Sequence, residues 1–121
     1  MASVSKGAAG EVLAARFLRD NGYEILAGNY RTRFGEIDII AADDEYIVFV
    51  EVKSRQEDAY YLPREAVTAD KQRRIIKTAL LYITHNPDPR QMRFDVIEVI
   101  TDKNEPLRAL ELHHIPNAYG G

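Results

Sequence analysis

No cysteine and no tryptophan occur among the 121 residues. The first absence removes disulfide scaffolds, zinc–thiolate sites and thiol nucleophiles together. Long apolar runs are missing as well: the longest, Tyr46–Val50 and Ala79–Ile83, have five residues each, against the ~18 needed to span a bilayer. The N-terminal stretch Met1-Ala-Ser-Val-Ser-Lys-Gly has neither the charged nor the apolar segment of a secretory signal. There is no excess of positive charge, with 16 Lys and Arg against 19 Asp and Glu. That balance argues against a protein that grips nucleic acid by bulk charge. The expectation is a cytoplasmic, non-membrane protein forming one domain over residues 1–121. At this length it buries roughly two-thirds of its unfolded surface and needs no metal merely to fold.

The charge is unevenly spread. From Lys53 to Lys77 there are seven basic and four acidic residues, whereas from Phe94 onward there are five acids and two bases. A local basic surface on an acidic body is one reading of this pattern, and an ordinary solvated helix face is the other.

Hydrophobic spacing and turn residues divide the chain into seven elements. Residues from Val4 to Asn21 read as a helix closed by Asn21-Gly22. Its expected apolar stripe is Val4, Ala8, Glu11, Val12, Ala15 and Leu18, with Leu13 and Phe17 as a smaller pair outside it. Glu11 near the middle of such a stripe is an expensive carboxylate unless it has a partner. Strands are expected over Tyr23–Tyr30, Phe34–Ala42 and Tyr46–Ser54, then a loop over Arg55–Pro63 carrying Tyr60-Tyr61. Thr68 or Asp70 can cap a second helix reaching His85, which Asn86-Pro-Asp-Pro89 ends. Its inward stripe would be Gln72, Ile75, Ile76, Ala79, Leu80 and Ile83. Two more strands, Gln91–Thr101 and Leu107–Ile115, precede an expected frayed tail over 116–121. The order αβββαββ describes an α/β (α+β) domain of one sheet with helices packed on it.

The chemistry concentrates in Gly35-Glu-Ile-Asp38 and Phe49-Val-Glu51-Val-Lys53-Ser-Arg55. Strand alternation sets Glu36 and Asp38 on one face opposite Ile37 and Ile39, and sets Glu51 and Lys53 together likewise. A hairpin with the four-residue loop 43–46 places Asp38 opposite Glu51. A two-residue turn at Asp43-Asp44 instead places Glu36 opposite Glu51, with Asp38 diagonal. Either register gathers all four charged groups on one face. Two carboxylates at ~4 Å repel by about 4 kcal/mol at an effective dielectric of ~20, so a shared proton, a close cation or a bound metal must offset them. Oxygen donors without nearby histidine or cysteine suit Mg²⁺ rather than zinc or copper. Lys53 would orient or deprotonate an attacking water. His113-His114 make no joint site, because neighbouring strand residues point to opposite faces.

An acidic residue on the first helix, then Asp38, then Glu51-Val-Lys53 resembles the PD-(D/E)XK nuclease superfamily. The closer resemblance is to the YraN-like family of small bacterial proteins, predicted endonucleases similar to Holliday junction resolvases. It rests on Gly10-Glu11, Gly22-Tyr23, Asn29-Tyr-Arg31, Gly35-Glu-Ile-Asp38, Phe49-Val-Glu-Val-Lys-Ser-Arg55, Glu65-Ala-Val67, Lys71 and Arg93-Phe-Asp-Val96, in order over about residues 4 to 101.

The resemblance implies a restriction endonuclease-like core, αβββαβ, with a central mixed sheet flanked by helices. In it Asp38 and Glu51 would hold one or two Mg²⁺ or Mn²⁺ ions and Glu11 would reach the metal directly or through water. Lys53 would be the catalytic lysine, and Lys71 or Gln72 an accessory group at the start of the second helix. The implied activity is endonucleolytic cleavage of structured or branched DNA by a homodimer. Arg31, Arg33, Arg55, Lys71, Arg73, Arg74 and Lys77 would contact the nucleic acid. The competing readings are a non-catalytic nucleic-acid-binding or adaptor module that retains the fold, and a structural ion-pair cluster.

Overall fold

A computed structural model describes residues 6–58 and 67–120, so Val4 and Tyr60-Tyr61 lie outside the described residues. The elements run α1 (Lys6–Asp20), β1 (Glu24–Thr32), β2 (Gly35–Ala42), β3 (Tyr46–Gln56), α2 (Ala69–His85), β4 (Gln91–Thr101) and β5 (Ala109–Tyr119). They form one five-stranded sheet in the order β1-β2-β3-β4-β5. All neighbours are antiparallel except β3 and β4, which run parallel. A parallel pair needs a crossover, and α2 supplies it. This mixed α/β architecture, a sheet flanked by two helices, is a restriction endonuclease-like core extended by a fifth strand.

The apolar run of β3 explains the layering. Val48 and Val50 pack with Leu13, Ala14 and Leu18 of α1, whereas Ile47 and Phe49 pack with Ile75 and Ala79 of α2. A strand covered on both faces reads as continuous hydrophobic sequence rather than as alternation. Each such side chain stabilises the fold by about 1.5–3 kcal/mol. Among the described residues no helix is long and apolar enough to cross a membrane.

Both helix ends follow the expected chemistry. Gly22, at φ 89°, closes α1 in a Schellman turn, with Tyr23 N–H donating to Leu18 O (3.0 Å) and Gly22 N–H to Arg19 O (3.1 Å). Thr68 caps α2 by accepting from Lys71 N–H.

The faces of the helices differ from the expected stripes. In α1 the inward residues are Ala9, Gly10, Leu13, Ala14 and Leu18, while Val12 is 41% exposed. Close approach selects this face: a Cβ on Gly10 would lie 2.5 Å from the Ser54 Cβ. Glu11 therefore sits half-buried on the flank of the docked face rather than at its centre. In α2, Leu80, expected inward, is 52% exposed, whereas Thr78, outside the expected stripe, is buried and satisfies its hydroxyl on Arg74 O (2.8 Å).

The tail expected over 116–121 is instead part of β5 up to Tyr119. Asn117 N–H donates to Asp95 Oδ1 (2.9 Å), and the Tyr119 ring stacks on Phe94 at 5.5 Å, which itself stacks on Phe49 at 5.5 Å. Aromatic stacking and a buried carboxylate hold a segment whose Pro116 and Asn117 signal a break.

Candidate active site

The β2–β3 hairpin takes the four-residue loop of the two registers. Ala42 pairs with Ile47 and Ile39 with Val50, the register that directs Asp38 toward Glu51. Asp43 builds the loop by accepting from the N–H groups of Glu45 (2.9 Å) and Tyr46 (2.7 Å). Arg90 donates to Asp43 O (3.0 Å), tying the loop to the exit of α2.

Beyond Ile39 the ladder opens. Asp38 Oδ2 accepts from Val52 N–H at 2.8 Å, so a side chain occupies the place of a strand-to-strand bond. Alternation also breaks there: Ile37 packs on the α2 side and Ile39 on the α1 side. This corrects the expectation that the two isoleucines share a face. On β1, Asn29 between the pairs Gly28–Ile39 and Tyr30–Ile37 takes φ 50°, the left-handed conformation that lets the neighbouring strand follow.

Glu51 continues the α2-facing row of Ile47 and Phe49 and is 8% exposed. Lys71, on the first turn of α2, forms an ion pair with its Oε1. Its other oxygen, Oε2, is buried with no hydrogen-bond partner among the described residues. Asp38 and Glu51 line one open cleft of about 600 Å³ with Glu36, Val52, Asp70, Lys71 and Arg74. Burial pushes the Asp38 carboxyl up to about 6; the charges of Glu11, Glu51 and Glu36 push the same way, and the Val52 hydrogen bond opposes them. One of the three ways to offset carboxylate repulsion is thus in place, a cation on Glu51, and the raised Asp38 carboxyl favours a second, a proton.

The remaining residues divide clearly. Glu11 is close enough for its charge to act on Asp38, yet among the described residues no three acidic or histidine side chains converge as a metal cage. Lys53 belongs to the same row of β3 as Glu51, but lines a neighbouring hollow of about 160 Å³ with Arg55, Glu98, Glu111 and His113. Glu36 pairs with Arg31 (3.3 Å) at the surface. Arg33, Arg73, Arg74 and Lys77 gather around Phe34 beside the cleft, with Asp70 accepting from Arg73 (3.5 Å) and Arg74 (3.1 Å). Gln72 turns away and donates to Val67 O (2.8 Å).

Residues 10–99 match a family described as Uncharacterised protein family UPF0102. The chain belongs to UPF0102. This is the YraN-like family of the sequence resemblance. A UPF0102 protein of Syntrophus aciditrophicus is 56% identical over 94 residues, covering 77% of this chain and 74% of its own. One from Nocardia farcinica is 52% identical over 95 residues, covering 78% and 75%. Another, from Persephonella marina, is 42% identical over 120 residues, covering 98% and 97%. The span matched to UPF0102 contains Glu11, Asp38, Glu51, Lys53 and Lys71 and ends before β5.

A polar network that sequence reasoning missed joins residues of that span to β5. Asp95, fully buried, accepts from Arg93 Nε (2.9 Å) and Nη2 (2.8 Å), pairs with His114 Nε2 (2.7 Å) and holds Asn117 N–H. Arg93 also donates to Tyr23 OH (2.8 Å). The available signal was an Arg and an Asp two apart on a strand, hence on one face. His113 and His114 do point to different sides, one to the Lys53 hollow and one to Asp95.

Proposed function

We propose that this UPF0102 chain is a cytoplasmic, divalent-metal-dependent endonuclease that hydrolyses phosphodiester bonds in structured or branched DNA. The observation that carries the reading is the meeting of Asp38 and Glu51 in one cleft, with Glu51 Oε2 buried and unmatched among the described residues. An orphaned buried carboxylate oxygen is costly. A hard cation bound beside it would remove the cost and lower the Asp38 carboxyl to its ionised form. The donor set, two carboxylates and no sulfur or imidazole, fits Mg²⁺ or Mn²⁺ with water completing the shell.

Such an ion, when bound, supplies Lewis-acid polarisation of a phosphoryl oxygen and a more acidic water. The chain's own residues do the rest. Val52 N–H fixes Oδ2 of Asp38 and with it the plane of the carboxylate. Lys71 sets a positive charge against Glu51 Oε1. Lys53, about 7 Å further along the same strand row, is a flexible cation that orients the attacking water and balances charge on the phosphorane. Glu11 adds negative charge through water. Arg33, Arg73, Arg74 and Lys77 neutralise backbone phosphates beside the cleft. Symmetric cutting of a four-way junction requires two such sites and hence a homodimer.

The test is cleavage of branched and duplex DNA with Mg²⁺ or Mn²⁺ by the native protein, Asp38→Asn and Lys53→Ala. The expected outcome is cutting by the native chain, a loss of about 10²-fold or more in each variant, and none with chelator. Equal activity in all three would overturn the assignment. A second reading is favoured by Lys53 lining a separate hollow while Lys71 already neutralises Glu51: a module that binds nucleic acid without cutting it. Its signature is affinity that survives chelation and is unchanged or raised in Asp38→Asn, with no cleavage by any form.

A further inference from the structure

Among the described residues Phe34 is not part of the core. It belongs to neither apolar cluster and sits half-buried in the two-residue β1–β2 loop between the last paired residues, Thr32 and Gly35. Its ring is flanked by cations, with the Arg33 guanidinium 4.9 Å and the Lys77 ammonium 5.8 Å from the centroid. Arg73 and Arg74 complete a hollow of about 490 Å³ around it, with Asp70 as its sole described acidic lining residue. Four cations around one aromatic ring is an unusual concentration for a chain of net charge −3.

The backbone that carries the ring is anchored. Thr32 Oγ1 accepts from Phe34 N–H (3.1 Å) and lies 3.4 Å from Thr78 Oγ1. Gly35 packs against Arg74 and Thr78, where a Cβ would meet both at 3.5 Å. The loop is thus anchored to α2. It is also contiguous with the cleft: Asp70 and Arg74 line both hollows, and Gly35, next to Phe34 in sequence, lines the cleft of Asp38 and Glu51.

We propose that Phe34 is a stacking platform for an unpaired base of a DNA strand led into the Asp38–Glu51 cleft, with Arg33, Arg73 and Lys77 on its phosphates. The ligand's identity as DNA rests on the function proposed above; the stacking rests on the ring and its cations. An aromatic ring offers its face only to a base already out of a duplex. When a base takes the ring, Arg33 exchanges a cation–π contact for a phosphate. Phe34 is a specificity-determining residue that makes unpaired strand, rather than continuous duplex, the preferred ligand.

The experiment is fluorescence titration in chelator at low salt, with a short oligothymidine, a blunt duplex of equal length and inorganic polyphosphate as probes. Native protein is expected to bind the single strand more tightly than the duplex. Phe34→Ala weakens single-strand binding by about tenfold and leaves duplex binding unchanged, and Phe34→Tyr restores the affinity. Because the chain has no tryptophan, Phe34→Trp introduces a single indole. Its emission is quenched by the oligothymidine and not by polyphosphate. Absence of single-strand binding, equal loss on both DNA forms in Phe34→Ala, or equal quenching by polyphosphate overturns the proposal. No metal enters these measurements, so the two readings separate. If the native chain cuts nothing with Mg²⁺ or Mn²⁺ but the Phe34 effects hold, only cleavage falls. If it cuts and Phe34→Ala changes neither binding nor products, only stacking falls.

Discussion

Asp38 is held in two opposing ways: Val52 N–H favours its charged form, and burial among other carboxylates favours the neutral one and prevails. Its folded carboxyl ionises at about 6 rather than 3.8. This group therefore favours the folded state fully below about 3.8, and that contribution is lost as pH rises through about 6. Asp38→Asn removes the ionisation. In chelator the variant should be the more stable protein near pH 7, by on the order of 1–3 kcal/mol, and the gain should vanish by about pH 4. Urea melts across that range provide the check. Added Mg²⁺ should raise the melting temperature of the native chain and leave the variant's unchanged. Tyr119 makes a simpler case. Its hydroxyl is buried without a partner among the described residues, and burial together with the Glu51 and Asp95 charges pushes its pKa up. Tyr119→Phe should leave stability equal or slightly higher, whereas Asp95→Ala, which strands the Arg93 guanidinium, should cost about 3–5 kcal/mol. The acidic pair was legible in the sequence because strand period and loop length are local. The Lys71–Glu51 contact was not, since it depends on where a helix lands after a crossover.

Among the elements, α1 makes the strongest claim. Its docking depends on Gly10 lying against Ser54, and that contact carries Glu11 toward Asp38. Gly10→Ala should destabilise the fold by about 1–3 kcal/mol despite the better helix propensity of alanine. Ser54→Gly in the same chain should recover part of the loss, as denaturant titration of the single and double variants will measure. The contact also explains why the inward face of α1 was misread. Ala8, Ala9, Gly10, Ala14 and Ala15 leave much of the helix surface small, so hydrophobic contrast is weak and steric fit chooses the face. Its end at Asn21-Gly22 was legible because that stop is a backbone property of adjacent residues. The last strand shows the converse. Its bulge lets Asn117, at φ 51°, turn an N–H toward Asp95, 22 residues earlier. No local signal announces such a partner.

Over the whole molecule, charge is segregated rather than abundant. A net −3 chain assembles Arg33, Arg73, Arg74 and Lys77 beside an acidic cleft, so association with nucleic acid should be steep in salt although the protein is acidic overall. Arg73→Ala and Lys77→Ala should each reduce the slope of log affinity against log salt by about 0.7–1. Arg108→Ala, near Asp102 and away from this patch, should leave it unaltered. Binding isotherms at several ionic strengths decide between these outcomes. The uneven distribution along the chain hinted at the patch, and α2 brought most of it to one side. The sequence did not reveal that a loop phenylalanine sits among these cations, because a two-residue connection gives no sign of what it leans on.

The backbone amide of Val52 bonds to the carboxylate of Asp38 instead of a main-chain carbonyl of β2. The molecule therefore carries its own spectroscopic reporter at the place where β2 and β3 part. The proton resonance of that amide should move downfield as the acid it touches loses its hydrogen, with a midpoint near 6. A titration followed at this nucleus alone would read the charge state of the centre without substrate, label or turnover.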